Sequence, residues 1–314
     1  MRDKLLYIRS WLNYSFYILR RKISRGKYIK KKIIKKKILN KEETEQFYAE
    51  LFLSGKPFMV GRIGTSESQA LDHQIRVDLG FEKSVPEKTI RLLCNNAGFF
   101  PEDREKIPHY RDEYIKALKN CDLIASWSNN EYYLFKKYCK EARFCHLRNI
   151  EPEMGNPNSW IKYLQGKKVL VVHPFAQSIK KQYERKNKVF PNGFLPDFKL
   201  ITLKAVQTIA GEKDKRFEDW FQALDYMKKQ IYNIDFDIAL IGCGAYGFPL
   251  AAYVKEIGKS AIHTAGSTQI IFGILGKRWE NKEYLTHFIN DYWIRPSEDE
   301  IVKGNNMVEG GCYW

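Results

Sequence analysis

Three stretches of this 314-residue sequence carry residue types whose spacing suits phosphate or sugar chemistry. In Asp237-Ile-Ala-Leu-Ile-Gly-Cys-Gly-Ala-Tyr-Gly247, a strand-like apolar run enters the pattern G-x-G-x-x-G, and a helix opening with Pro249 follows. Gly242, Gly244 and Gly247, with Tyr246 between them, let the backbone turn tightly and approach a phosphate. The free N–H groups and dipole of the following helix would stabilise its charge. The alternative is a glycine-rich turn required only for close packing. A dinucleotide or S-adenosylmethionine fold would end its next strand in an acid that holds the ribose hydroxyls. Here that strand ends Ile262-His263-Thr264, which counts against both ligands. His263 could hydrogen-bond a diphosphate or transfer a proton, or it could be a satisfied structural histidine.

The second stretch, Phe58-Met-Val-Gly-Arg-Ile-Gly-Thr-Ser-Glu67, ends a strand in a polar turn, where open α/β sheets place ligand groups. Arg62 is a fork-shaped donor for phosphate, and Glu67 could ligate a divalent metal or accept hydrogen bonds from sugar hydroxyls. The competing reading makes Thr65 or Ser66 a helix cap and Glu67 a first-turn acid. The third stretch, His173-Pro-Phe-Ala-Gln-Ser178, follows another apolar run, so His173 and Ser178 are expected at the same sheet edge. Gly266 and Ser267 open a further helix and offer a second anion-binding end. Trp279, Trp293 and the terminal Tyr313-Trp314 have faces that could stack on a sugar or simply fill a core.

Positioning these groups calls for strands alternating with helices. Strands are predicted at 58–61, 123–125, 168–172, 199–203, 237–241 and 261–264. Helices are predicted near 42–54, 86–93, 102–118, 130–140, 178–185, 216–230 and 249–257. The alternation predicts an α/β fold, a Rossmann-like parallel sheet covered by helices on both faces. Residues 41–156 form an N-terminal half with the Arg62–Glu67 turn. Residues 157–314 form a nucleotide-binding half with a C-terminal tail.

Residues 1–40 stand apart. They hold 14 of the 53 Lys and Arg against one acid, Asp3, and therefore +13 of the formal +16. Leu5, Ile8, Leu12, Phe16 and Leu19 recur at steps of three and four, on one face of a helix, and a lysine-rich run follows. This composition predicts an amphipathic arm on an anionic membrane surface; the alternative is a helix docked on its own body or on a partner subunit in a homo-oligomer. No nucleic-acid motif accompanies the charge, so no nucleic-acid partner is expected. The longest uncharged run, Ile238 to Val254, contains three glycines and a proline, and no secretory cleavage pattern is seen. The expected location is cytoplasmic, peripheral on the inner face of the cell membrane. The six cysteines form no C-x-x-C pair, against a zinc site or a disulfide framework.

The turn Arg62-Ile-Gly-Thr-Ser-Glu67 resembles the R-(F/Y)-G-D-G-E segment of the GT-D-fold glycosyltransferases, bacterial enzymes whose Asp-x-Glu motif serves metal and nucleotide-sugar binding. The strand into Gly242–Gly247, the helix through Lys255 and the strand ending at His263 resemble that family's closing unit, so the resemblance spans about residues 42–275. It implies a transferase that moves sugar from a nucleoside-diphosphate sugar, UDP favoured, to a glycan or glycolipid in surface polysaccharide or glycoconjugate biosynthesis. By position Glu67 matches the motif's glutamate. Thr65 replaces its aspartate and Ser66 its second glycine. A hydroxyl is a poorer ligand for a hard cation than a carboxylate, so the Mn2+ or Mg2+ at Glu67 and Thr65 that the resemblance implies is put in question. The competing functions are an S-adenosylmethionine-dependent methyltransferase and a non-catalytic membrane-associated scaffold for glycan assembly.

Overall fold

Runs such as Val169–Val172 and Ile238–Ile241 carry no polar alternation, as a strand covered on both faces requires. In the computed structural model, which describes residues 1–127 and 131–314, these runs are neighbours in one nine-stranded sheet. Its strands are β1 (Lys32–Ile33), β2 (Lys36–Leu39), β3 (Met59–Gly61), β4 (Leu123–Ala125), β5 (Arg143–Cys145), β6 (Lys168–His173), β7 (Lys199–Lys204), β8 (Ile238–Ile241) and β9 (Ser260–His263). The spatial order is β1-β2-β5-β4-β3-β9-β8-β6-β7, and every pair is parallel except β1 with β2.

Twelve α-helices are found among the described residues. They are α1 (Arg2–Ile23), α2 (Lys41–Leu53), α3 (Thr65–Asp78), α4 (Glu87–Ala97), α5 (Ile107–Asn120), α6 (Glu131–Tyr138), α7 (Ala176–Glu184), α8 (Lys186–Val189), α9 (Trp220–Tyr232), α10 (Gly247–Glu256), α11 (Ser267–Ile271) and α12 (Glu283–Thr286). Successive side chains of a strand point to opposite faces, and the core divides accordingly. Met59, Ile124, Leu170, Val172 and Ile241 join one cluster with residues of α3, α4, α5, α9 and α10. Val60, Leu123, Val169, Val171 and Leu240 join the other with Tyr48, Trp160, Ile179 and the C-terminal tail. Both faces are thus covered, in a Rossmann-like α/β arrangement. The two halves expected on either side of residue 156 share this sheet, because β3 pairs with β9 at Met59↔Ala261 and Val60↔Ile262.

Some boundaries moved for identifiable reasons. The helix expected from residue 216 begins at Trp220, where the Asp219 carboxylate accepts from the Gln222 N–H at 3.0 Å and caps it. The helix expected over 102–118 divides into a 3-10 turn, Arg104–Lys106, and α5, with Pro108 in its first turn. The expected start of α6 at Asn130 lies outside the described residues. Helix α2 opens on a capping box, in which Asn40 Oδ1 accepts from the Glu43 N–H and Glu43 Oε2 accepts from the Asn40 N–H. The basic run assigned to the arm is partly sheet. Ile33, Ile34 and Ile38 are buried while Lys32, Lys35 and Lys37 face water, and Ile38 pairs with Phe144 of β5. No helix among the described residues is long and apolar enough to cross a membrane.

Candidate functional site

In a parallel sheet all strands deliver their carboxyl ends to one edge, and where the chain reverses its direction of winding a crevice opens. From β6 the chain winds outward to β7 and then returns to β8 on the other side of β6. A cavity of about 590 Å³ lies along this edge. Its wall takes residues from the segments that follow β3, β4, β6, β7, β8 and β9, together with the 278–284 loop and the C-terminal tail.

Of the groups singled out in the sequence, Arg62, Gly64, Thr65, Glu67, His173, Gly242, Gly244, Tyr246, His263, Gly266 and Ser267 line this cavity. Ser178 and Gly247 do not. Ser178 donates its hydroxyl proton to Glu300 on the far side of α7, and Gly247 packs against the His263 ring. Trp279, Tyr313 and Trp314 are in the wall, whereas Trp293 packs on Phe190.

The turn after β3 places two charged groups side by side. Glu67 is buried in the first turn of α3, and burial holds its carboxyl above the usual carboxylate range, against the pull of its own backbone N–H and of Arg62. No hydroxyl caps this helix; the N-cap is Gly64. A Cβ on Gly64 would lie 2.2 Å from Glu67 Oε2, so glycine leaves the space into which the carboxylate folds. Burial pulls the Arg62 guanidinium below its ordinary value, and Glu151, Tyr313 and Glu67 work in the opposite direction. Among the described residues Arg62 forms no salt bridge, and its half-buried guanidinium lines the cavity with Glu151 and Glu67 as the acidic charges that act on it.

Further residues of the wall were not read from the sequence. Arg278 pairs with Glu309, stands 4.6 Å over the Tyr313 ring, and lies 3.2 Å from Cys312 Sγ. Arg148 stacks on Tyr284 at 3.5 Å, and Ser267 donates to Glu151. The segment after β7 contributes Thr208, whose hydroxyl donates to Gly98 O at 2.6 Å and lies 3.0 Å from Tyr246 Oη. Gln207 and Thr208 follow a strand at the same edge as the others and were accessible to the strand-end rule. Arg278 and Arg148 lie in short 3-10 turns, Lys277–Trp279 and Leu147–Ile150, and Glu151 directly after the second, none of which carries a local signature.

Both histidines are neutral near neutral pH. His173 Nδ1 accepts from the Phe175 N–H at 3.0 Å, and burial pushes the ring down to about 3. His263 is also pushed down to about 3, first by burial and then by the Arg62 charge, and its Nδ1 donates to Arg62 O at 3.1 Å. Its Nε2 is buried without a partner among the described residues, against Gly247.

The glycine turn is close-packed. A Cβ at Gly242 would lie 2.4 Å from Ala265 O, one at Gly244 2.5 Å from Ala97 O, and one at Gly247 2.4 Å from His263 Nε2. Gly244 also has φ +55°, in the left-handed region that favours glycine. Each glycine therefore has a packing reason, and Gly242 and Gly244 line the cavity as well. Among the described residues no three His, Cys, Asp or Glu side chains form a group able to hold a metal ion. At the expected position Glu67 is the one carboxylate, beside the hydroxyls of Thr65 and Ser66, a thin donor set for a hard cation.

Fold and site together define an α/β protein with a cationic, aromatic-walled cavity at the carboxyl edge of its sheet. No protein-family model, curated protein or solved structure matches this chain.

Proposed function

We propose that the protein is a GT-D-type glycosyltransferase, transferring sugar from a nucleoside-diphosphate sugar, UDP favoured, to a glycan or glycolipid acceptor on the inner face of the cell membrane. The observation that carries this reading is Arg62, a desolvated guanidinium without a salt-bridge partner among the described residues, in the wall of a cavity of ligand size. A charge removed from water without a partner is costly, and an anionic ligand group is the partner that offsets the cost. Arg278, also in the cavity wall, supplies a second guanidinium, and the faces of Trp279, Tyr284 and Tyr313 suit a base or a sugar ring.

In this reading the donor diphosphate lies between Arg62 and Arg278. The acceptor hydroxyl oxygen attacks the anomeric carbon and gives up its proton to solvent, and the bond from that carbon to the diphosphate oxygen breaks. The electron pair leaves with the nucleoside diphosphate, whose developing charge the two arginines stabilise. Glu67, whose carboxyl burial shifts upward, accepts a hydrogen bond from a hydroxyl of the bound sugar. No step is assigned to a metal.

The test is a thermal-shift and calorimetric screen against UDP, UDP-sugars, GDP, CMP, NAD and S-adenosylmethionine, with and without manganese. A ligand at a hundred times its dissociation constant stabilises a fold by about 2.7 kcal/mol. Stabilisation by a nucleoside diphosphate or its sugar, lost in Arg62→Ala, is expected. A response to S-adenosylmethionine with none to any diphosphate would overturn the proposal.

A further inference from the structure

Helix α1 is docked in the opposite sense to an ordinary surface helix. Tyr7 and Ser10, on one side, are the buried residues. Tyr7 Oη donates to Asp72 Oδ1 at 2.6 Å and accepts from Arg76 Nε at 2.7 Å. Ser10 Oγ accepts from the Tyr133 N–H at 3.0 Å, and Asp3 pairs with Lys137. The other side carries Leu5, Ile8, Leu12, Phe16, Leu19 and Ile23, each between 43% and 75% exposed, with Trp11 beside them at 52%. The apolar row recognised in the sequence is therefore not the docking face. A contiguous row of this kind is costly in water and marks an interaction surface.

Charge identifies what covers it. Arg2, Lys4, Arg9, Arg20, Arg21 and Lys22 lie on the same helix and form no salt bridge with the described residues. Residues 1–40 together carry +13, so a second copy laid against this face would set like charge on like. An anionic bilayer surface satisfies both features, burying the row among acyl chains while its headgroups meet the cations.

The position of α1 relates this face to the cavity. Ser10 meets the start of α6 and Asp3 its end, so the two helices run antiparallel. The thirteen residues Trp11–Ile23 continue past the start of α6 by about 20 Å at 1.5 Å per residue, on the side of the sheet's carboxyl edge. The chain then returns through Lys30, whose Nζ lies 3.4 Å from Ser126 Oγ just beyond β4, next to the cavity residue Trp127. We infer that α1 is a rigidly held, in-plane membrane-docking face that brings the cavity edge to an anionic leaflet, so that the acceptor enters from the bilayer as a lipid-linked molecule. The choice of acceptor rests on the sugar-transfer reading, whereas the docking face stands without it.

The full chain should be sedimented with vesicles of phosphatidylcholine alone and with vesicles containing phosphatidylglycerol. Binding to the anionic vesicles is expected, weaker by about tenfold or more without phosphatidylglycerol and in Leu12→Ser/Phe16→Ser/Leu19→Ser. These side chains are exposed, so the triple variant should keep the parent's circular dichroism and its stabilisation by UDP. Three results would overturn the inference: no binding of the parent to anionic vesicles, equal binding by the triple variant, or a concentration-dependent dimer that the triple variant abolishes. Vesicle binding without any nucleotide response would instead leave the docking face intact and remove the sugar-transfer reading and its lipid-linked acceptor.

Discussion

Two strand-to-helix turns meet at the cavity, and they work in opposite ways. The turn after β8 has the glycine spacing of a phosphate loop, yet Gly242, Gly244 and Gly247 each sit where a Cβ would strike a neighbouring group. The turn after β3 is poorer in glycine, yet it delivers Arg62 and Glu67, charged groups held out of water beside an open volume. A glycine pattern reports how closely backbones approach, and the approaching group can be the protein's own carbonyl as readily as a phosphate. A half-buried charge without a salt-bridge partner is the more telling sign of a ligand, because packing does not require it.

The largest expected effect separates glycines that serve the fold from one that serves the site. In Gly244→Ala the new Cβ meets a backbone oxygen, and φ +55° is strained for any L side chain, so a loss of about 3 kcal/mol or more in denaturant unfolding is predicted. In Gly64→Ala the obstacle is the far end of the Glu67 side chain, and φ is −70°. That variant should fold with a loss of about 1 kcal/mol or less while its carboxylate is displaced and nucleotide response changes. Equal destabilisation by the two substitutions would dissolve the contrast between the turns.

What the sequence disclosed follows the same division. Strands β3, β4, β6, β8 and β9 were legible because both faces are buried and their apolar runs are unbroken. The strand-end rule placed Arg62, Glu67, His173 and Gly242 at one cavity because a parallel sheet leaves that edge little freedom. It failed for Ser178, which lies far enough into α7 that the helix turns it toward Glu300. It could not reach Arg278 or Glu151, since their position depends on loops packed by tertiary contacts, among them the C-terminal tail closing on Gly266 and Gly276. In the basic segment, charge concealed a short β pattern: Ile33, Ile34 and Ile38 are core residues among lysines. Helix α1 formed where its apolar periodicity placed it, but the polar side became the contact face because Tyr7 reaches Asp72 and Arg76, a tertiary fact without local signature.

The second prediction concerns the charged turn itself. Arg62→Ala removes a cation from a partly buried wall without orphaning a salt-bridge partner among the described residues, so the ligand-free fold should hold within about 1 kcal/mol. The same variant should lose most of the stabilisation by a nucleoside diphosphate, about 2 kcal/mol under saturating conditions, because a charge-assisted contact to phosphate is lost. Arg62→Lys should recover part of it, since an ammonium keeps the charge but not the fork. A ligand response unchanged in both variants would return the phosphate to the glycine turn.

The smallest predicted effect is a slope, and it tests whether Glu67 is held as a buried acid. Burial raises its pKa above the ordinary 4.5, so between that pH and its folded value the native state binds more protons than the unfolded chain. Stability must therefore fall as pH rises through this window, by up to about 1.4 kcal/mol per pH unit from this one group. Glu45 adds a slope of the same sign: burial pushes its carboxyl up to about 7, although it accepts the Trp160 N–H at 2.7 Å. The two buried histidines, lowered to about 3, act oppositely and destabilise the fold as pH drops below 6.5. The measurement is thus the difference in unfolding free energy between the parent and Glu67→Gln from pH 4.5 upward, in which Glu45 and the histidines cancel. The stability of Glu67→Gln relative to the parent is expected to rise with pH through this window, and a bound diphosphate, whose negative charge disfavours carboxylate ionisation further, should extend that rise to higher pH. Parallel profiles would mean that Glu67 ionises as freely as an exposed glutamate, and the turn after β3 would then hold an ordinary first-turn helix acid of the kind its sequence equally allows.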